Sequence, residues 1–156
     1  MRINPAAGRV ADMESIEREL YVEARPEQVW TALTQPEHFA TWYAFGGAEI
    51  DLRPGGRLVM RWDEHGEYRG FVEKVEPGRR FAYRYAVDPD VDAAPGNSNL
   101  VEFTLTPEGE GTRLRVVESG FDRLDVPAEV QVKKADESAQ GWDGGLAALA
   151  ELAPQV

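Results

Sequence analysis

Histidine is the side chain best suited to carrying a proton near neutral pH, and it stands at only two positions, His38 and His65. Neither has a second nitrogen or sulfur ligand at metal spacing, so both read as surface residues, His38 on a short helix and His65 in a hairpin turn. Asp88, Asp90 and Asp92 mimic the first three ligands of a calcium loop. Ala93 stands where that loop needs glycine and Asn99 where it needs its bidentate glutamate, which rules the loop out. The chain has no G-x-S-x-G elbow, no phosphate-cradling loop and no dinucleotide fingerprint. With no cysteine at all, thiolate catalysis, disulfides and Cys-based metal sites are excluded. No cofactor or metal is expected. Tyr83, His65 and Glu102 are the proton-handling groups left for an enzyme of cyclase or hydrolase type.

Large amphipathic side chains are more numerous than catalytic ones. Trp42, Tyr43, Phe45, Met60 and Trp62 cluster in the first half of the chain, and Tyr83, Tyr85, Phe103, Phe121 and Trp142 follow. Buried Trp and Tyr need partners for their polar tips, and such walls suit a pocket for an aromatic or polycyclic ligand. The same residues would also serve as core filling. With Leu146 and Arg69 they form the candidate ligand-binding set, Tyr43 being a wall residue beside it. Arg69 or Glu102, if turned inward, would anchor a polar ligand group, since a buried charge needs a partner. Turned outward, the strand charges Arg61, Glu73, Arg84, Glu102 and Arg115 explain themselves as cross-strand pairs. Parity cannot choose, because one bulge reverses the faces.

The elements that position these side chains follow from periodicity. Ile16, Arg18, Leu20 and Val22 alternate with Glu17, Glu19 and Tyr21, which predicts a strand over Ser15 to Val22. Arg25 to Thr34 opens with proline, carries an acid in its first turn and groups Val29, Trp30 and Leu33, so a short helix follows. Pro36 to Tyr43 repeats that pattern. Strands are then predicted over Ala48 to Leu52, Arg57 to Trp62, Glu67 to Val75, Arg79 to Val87, Asn99 to Thr106 and Thr112 to Ser119, separated by Gly- and Pro-bearing turns. Pro107 to Gly111 is read as the last of those turns, and Asp88 to Ser98 as the longest loop. Trp142, Leu146, Leu149 and Ala153 share one face of a final helix over Glu137 to Leu152. Gly141, Gly144 and Gly145 each cost that helix about 1 kcal/mol relative to alanine; Gly141 would admit a ligand or a close approach to the sheet. A long helix arriving after a meander of hairpins predicts an α+β fold in which the helix covers a curved antiparallel sheet.

Length and charge bound the rest. The 156 residues suit one domain, expected over 15–153 behind an N-terminal tail at 1–14, and large enough to bury roughly two thirds of its unfolded surface. Seventeen basic against 28 acidic side chains leave a formal charge of −11, which repels phosphate backbones and anionic lipid headgroups. No nucleic-acid or membrane partner is expected. Residues 1–13 hold no continuous apolar core of the secretory kind, and no apolar run approaches the roughly 18 residues of a membrane span. A cytoplasmic location is the default.

Pro26-Glu-Gln-Val-Trp30, Pro36-Glu37 with Trp42-Tyr43, Pro54-Gly55-Gly56, Gly70 to Pro77, Gly111-Thr112-Arg-Leu114, and Gly141-Trp142 with Leu146 and Leu149 occur in that order. Together they resemble the family of heat-shock protein 90 ATPase activator homologues, over about Ser15 to Leu152. The family belongs to the START-like superfamily, so the resemblance implies a helix-grip, Bet v 1-like architecture with a cavity between sheet and long helix. It implies a binder of a small hydrophobic or aromatic molecule, related to lipid carriers and antibiotic-binding proteins. It implies as an alternative a co-chaperone-like ATPase activator linked to stress response, with a chaperone or other protein as partner. The domain that makes first chaperone contact in the eukaryotic co-chaperone has no room in this chain, so ATPase stimulation need not carry over. An edge strand would allow a homodimer without compelling one.

Overall fold

Period-two burial defines seven strands in the computed structural model, which describes residues 15–156; the tail expected at 1–14 lies outside them. In chain order the elements are β1 (Ser15–Val22), α1 (Pro26–Thr34), α2 (Pro36–Trp42), β2 (Gly47–Ile50), β3 (Arg57–Trp62), β4 (Gly66–Glu76), β5 (Arg80–Ala86), β6 (Ser98–Glu108), β7 (Gly111–Ser119) and α3 (Ala128–Leu152). The strands form one antiparallel sheet in the order β1-β7-β6-β5-β4-β3-β2. This is a helix-grip α+β fold, with the two short helices spanning the sheet from one edge to the other and α3 laid across its inner face.

That face is built by alternation. Val101, Phe103 and Leu105 of β6 and Leu114 and Val116 of β7 are buried, while Glu102 and Arg115 between them are exposed. They pack with Leu58, Met60, Val72, Phe81 and Tyr83 from neighbouring strands, with Leu33, Phe39 and Trp42 from the short helices, and with Trp142, Leu146 and Leu149 of α3. Each large apolar side chain so buried contributes about 1.5–3 kcal/mol over leaving it in water. Trp42 also donates its indole N–H to the Ala32 carbonyl at 2.8 Å, which locks α2 to α1.

Two irregularities set the faces of β4. The register slips between Val72 and Lys74, so Glu73 is pushed to the outer side, where it meets Arg84 at 3.1 Å. At Gly70 the strands approach so closely that a Cβ would lie 1.8 Å from the Arg84 carbonyl oxygen, and glycine alone fits.

Two boundaries differ most from expectation. The last helix begins at Ala128, not Glu137. Pro127 at its N-cap and Glu129 in the first turn are start signals, but the first turns bury little besides Ala135 and leave Val132 exposed, so the apolar stripe is sparse there. The turn expected at Pro107 to Gly111 is also shorter, because β6 runs through Pro107, opposite Thr112. Pairing with β5 ends at Thr104, so proline's missing N–H costs no bond on that side.

Candidate ligand-binding site

Between α3 and one end of the sheet lies a cavity of about 750 Å³, open on one side. The end of α2 and the chain just after it supply Trp42, Tyr43 and Phe45; the β3–β4 hairpin supplies Trp62, His65 and Tyr68; the end of β5 and the residue after it supply Tyr85 and Val87. Phe121 closes one side, and α3 contributes its face from Lys134 through Gly141 to Gly145. The helix glycines fall into two kinds. A Cβ on Gly141 or Gly144 would meet nothing within 4 Å among the described residues, whereas on Gly145 it would lie 3.0 Å from the Tyr43 ring. Gly145 therefore lets α3 sit against α2, and Gly141 and Gly144 present bare backbone at the cavity.

The aromatic wall has a defined geometry. Trp62 stands edge-to-face with Tyr43 (5.3 Å, 87°) and with Tyr68 (5.5 Å, 80°). Its indole N–H is satisfied by the Tyr43 carbonyl at 2.9 Å. Tyr43 in turn stacks on Trp142 at 4.8 Å with the rings 3° from parallel.

Behind this wall is a buried carboxylate. Glu118, fully buried on β7, accepts the Trp142 indole N–H at 2.9 Å, an amide N–H of Asn99 at 2.9 Å and the Tyr85 hydroxyl. No basic side chain among the described residues pairs with it; the buried Arg18 instead meets Asp143 at 2.7 Å. Three donors compensate much of the cost of burying an anion. The Tyr83 hydroxyl and Asn99 Oδ1, also buried, have no hydrogen-bond partner among the described residues. Burial, then the Glu118 carboxylate, pushes the Tyr85 and Tyr43 hydroxyls well above the usual phenol range. Burial, then Tyr43 and Glu118, does the same to Tyr83. All three phenols stay protonated at neutral pH.

The candidate residues thus separate. Trp42, Phe45, Trp62, Tyr85 and Phe121 line the cavity, as does Tyr43. Met60, Tyr83, Phe103, Trp142 and Leu146 are buried in the core behind it. Arg69 departs from the expected role: it lies beside Tyr68 on the opposite face of β4, held by Glu67 at 2.6 Å and Asp92 at 3.4 Å. Carboxylates on the solvent side satisfy its charge, so it does not reach the cavity. Glu102 is likewise exposed on the outer face, while His65 is exposed at the cavity mouth. Sequence reading passed over Glu118, Tyr68 and the first half of α3. The signal for Glu118 was its parity with Leu114 and Val116.

The model of the family described as activator of Hsp90 ATPase homolog 1-like protein matches residues 23–153. The chain belongs to this family. Among solved structures, protein MLL2253 from Mesorhizobium loti is 27% identical with a TM-score of 0.75, over 91% of this chain and 98% of that one. DynU16, from the dynemicin biosynthetic locus, is 24% identical with a TM-score of 0.70, over 89% of this chain and 46% of that one. The Aha1 dimer from Colwellia psychrerythraea shares the fold at 16% identity, with a TM-score of 0.71 over 90% of this chain and 96% of that one. No curated protein matches. These solved structures share the sheet-and-helix frame, and a shared fold does not by itself assign a function. No helix among the described residues is long and apolar enough to cross a membrane.

Proposed function

We propose that this member of the family binds a small hydrophobic or aromatic molecule, non-covalently, between sheet and α3. The observation that carries the reading is the cavity of about 750 Å³, a volume suited to a drug-sized ligand. Its lining agrees: Trp42, Tyr43, Phe45, Trp62, Tyr68, Tyr85 and Phe121 make most of it aromatic, while α3 adds bare backbone at Gly141 and Gly144 and a polar rim of Lys134, Glu137, Ser138 and Gln140. Trp42, Phe45, Trp62, Tyr85 and Phe121 are the contact residues, with Tyr43 and Tyr68 added. Met60, Tyr83, Phe103, Trp142 and Leu146 act as the packed support that holds the wall rigid.

Tryptophan fluorescence and thermal melting against a library of hydrophobic small molecules test this directly. Trp42 and Trp62 line the cavity, so a ligand changes their emission saturably. It also raises Tm, by about 2.7 kcal/mol of added stability at a hundredfold excess over Kd. Silence across a chemically broad library overturns the reading. Phe45, 67% exposed at the cavity mouth, favours as second reading a protein-interaction module of co-chaperone type. On that reading, replacing Phe45 by serine abolishes partner binding while leaving Tm unchanged.

A further inference from the structure

We propose that the occupant of the cavity is an organic cation, a small molecule whose apolar body carries a protonated or quaternary amine. This rests on the ligand-binding reading above and adds the chemical class. Tyr43, Trp62 and Tyr68 meet at right angles along the lining. Perpendicular rings form adjoining walls, Tyr43 with one face already covered by Trp142, and an aromatic face open to the cavity attracts an alkylammonium group.

The polar network behind the wall strengthens the same preference. Tyr85 donates its hydroxyl to Glu118, and a phenol hydrogen-bonded to a carboxylate has a more electron-rich ring. Trp142 donates to the other carboxylate oxygen and stacks on Tyr43. Glu118 does not itself line the cavity, so its charge acts through these rings and through a low-dielectric field rather than by a direct ion pair. A buried anion that no basic side chain pairs with, among the described residues, makes the adjacent cavity favourable to positive charge.

Cations already present do not cancel this. Lys134 and His65 are the basic side chains in the lining. Lys134 is held by Asp88 at 3.1 Å, and Glu137 stands on the same rim. The formal charge of −11 adds long-range attraction for a cation over an anion.

The test compares benzyltrimethylammonium with its neutral isostere neopentylbenzene, by tryptophan fluorescence titration at low and high salt. The cation is expected to bind about tenfold more tightly, and its advantage shrinks as salt rises. Glu118→Gln should reduce that advantage severalfold. Tyr68→Leu, which removes a half-buried ring whose hydroxyl makes no hydrogen bond among the described residues, should do the same and keeps the test decisive where Glu118→Gln does not fold. Equal or tighter binding of the neutral compound overturns the cation inference and leaves the cavity reading standing. Binding of neither compound overturns the inference, and the library screen then decides the cavity reading itself.

Discussion

Glu118 shows how one side chain joins the two layers. Its oxygens receive groups from β5, β6 and α3 at once, and removing them strands three donors in a dry interior. An unsatisfied buried donor costs about 1–3 kcal/mol. Glu118→Ala is therefore expected to lower stability by about 3 kcal/mol in urea unfolding, even after the site relaxes. Glu102→Ala, an exposed carboxylate on the neighbouring strand, should stay within about 0.5 kcal/mol of the parent. Equal effects from the two would mean that the Glu118 network contributes nothing specific.

At the scale of the element, α3 carries glycines that helix energetics alone would replace. Gly141 and Gly144 face open space, so alanine at either should raise helix stability by up to about 1 kcal/mol. Added methyl groups at the cavity should at the same time weaken ligand binding. A rise in Tm together with a loss of affinity, read in the same melts with and without ligand, is the expected signature. A variant with higher Tm and unchanged affinity would remove these glycines from the site. Gly145→Ala is expected to behave differently, because its methyl group meets the Tyr43 ring at 3.0 Å and must displace either ring or helix.

For the molecule as a whole, three desolvated phenols around Glu118 couple the fold to alkaline pH. Tyr43, Tyr83 and Tyr85 are held above their ordinary value near 10 in the fold and regain it on unfolding. The folded state thus binds more protons above about pH 10, and stability falls as pH rises from there. Below pH 10 the contribution is fully present. Phenolate absorbance from these three residues should appear together with loss of near-ultraviolet circular dichroism, in one cooperative step. Their ionisation in a still-folded protein, with the circular dichroism intact, would contradict the desolvation that holds these hydroxyls above the phenol range.

What the sequence determined by itself was the frame. Alternation along β1, β6 and β7, proline at the start of both short helices, and the Trp142, Leu146, Leu149 stripe each report a local periodicity, and periodicity is set by backbone geometry within a few residues. Those signals were enough for seven strands, two short helices and a closing helix. The tertiary structure alone decided which aromatics line the cavity and which fill the core, because that depends on how far α3 stands from the sheet at each turn. Phe45 and Trp62 face the space, while Phe103 and Tyr83, equally aromatic, lie under it. It also decided that Arg69 turns outward and that Glu118 meets Trp142 across 24 residues of chain. Contacts of that length are made by packing, and packing leaves no period in the sequence to read.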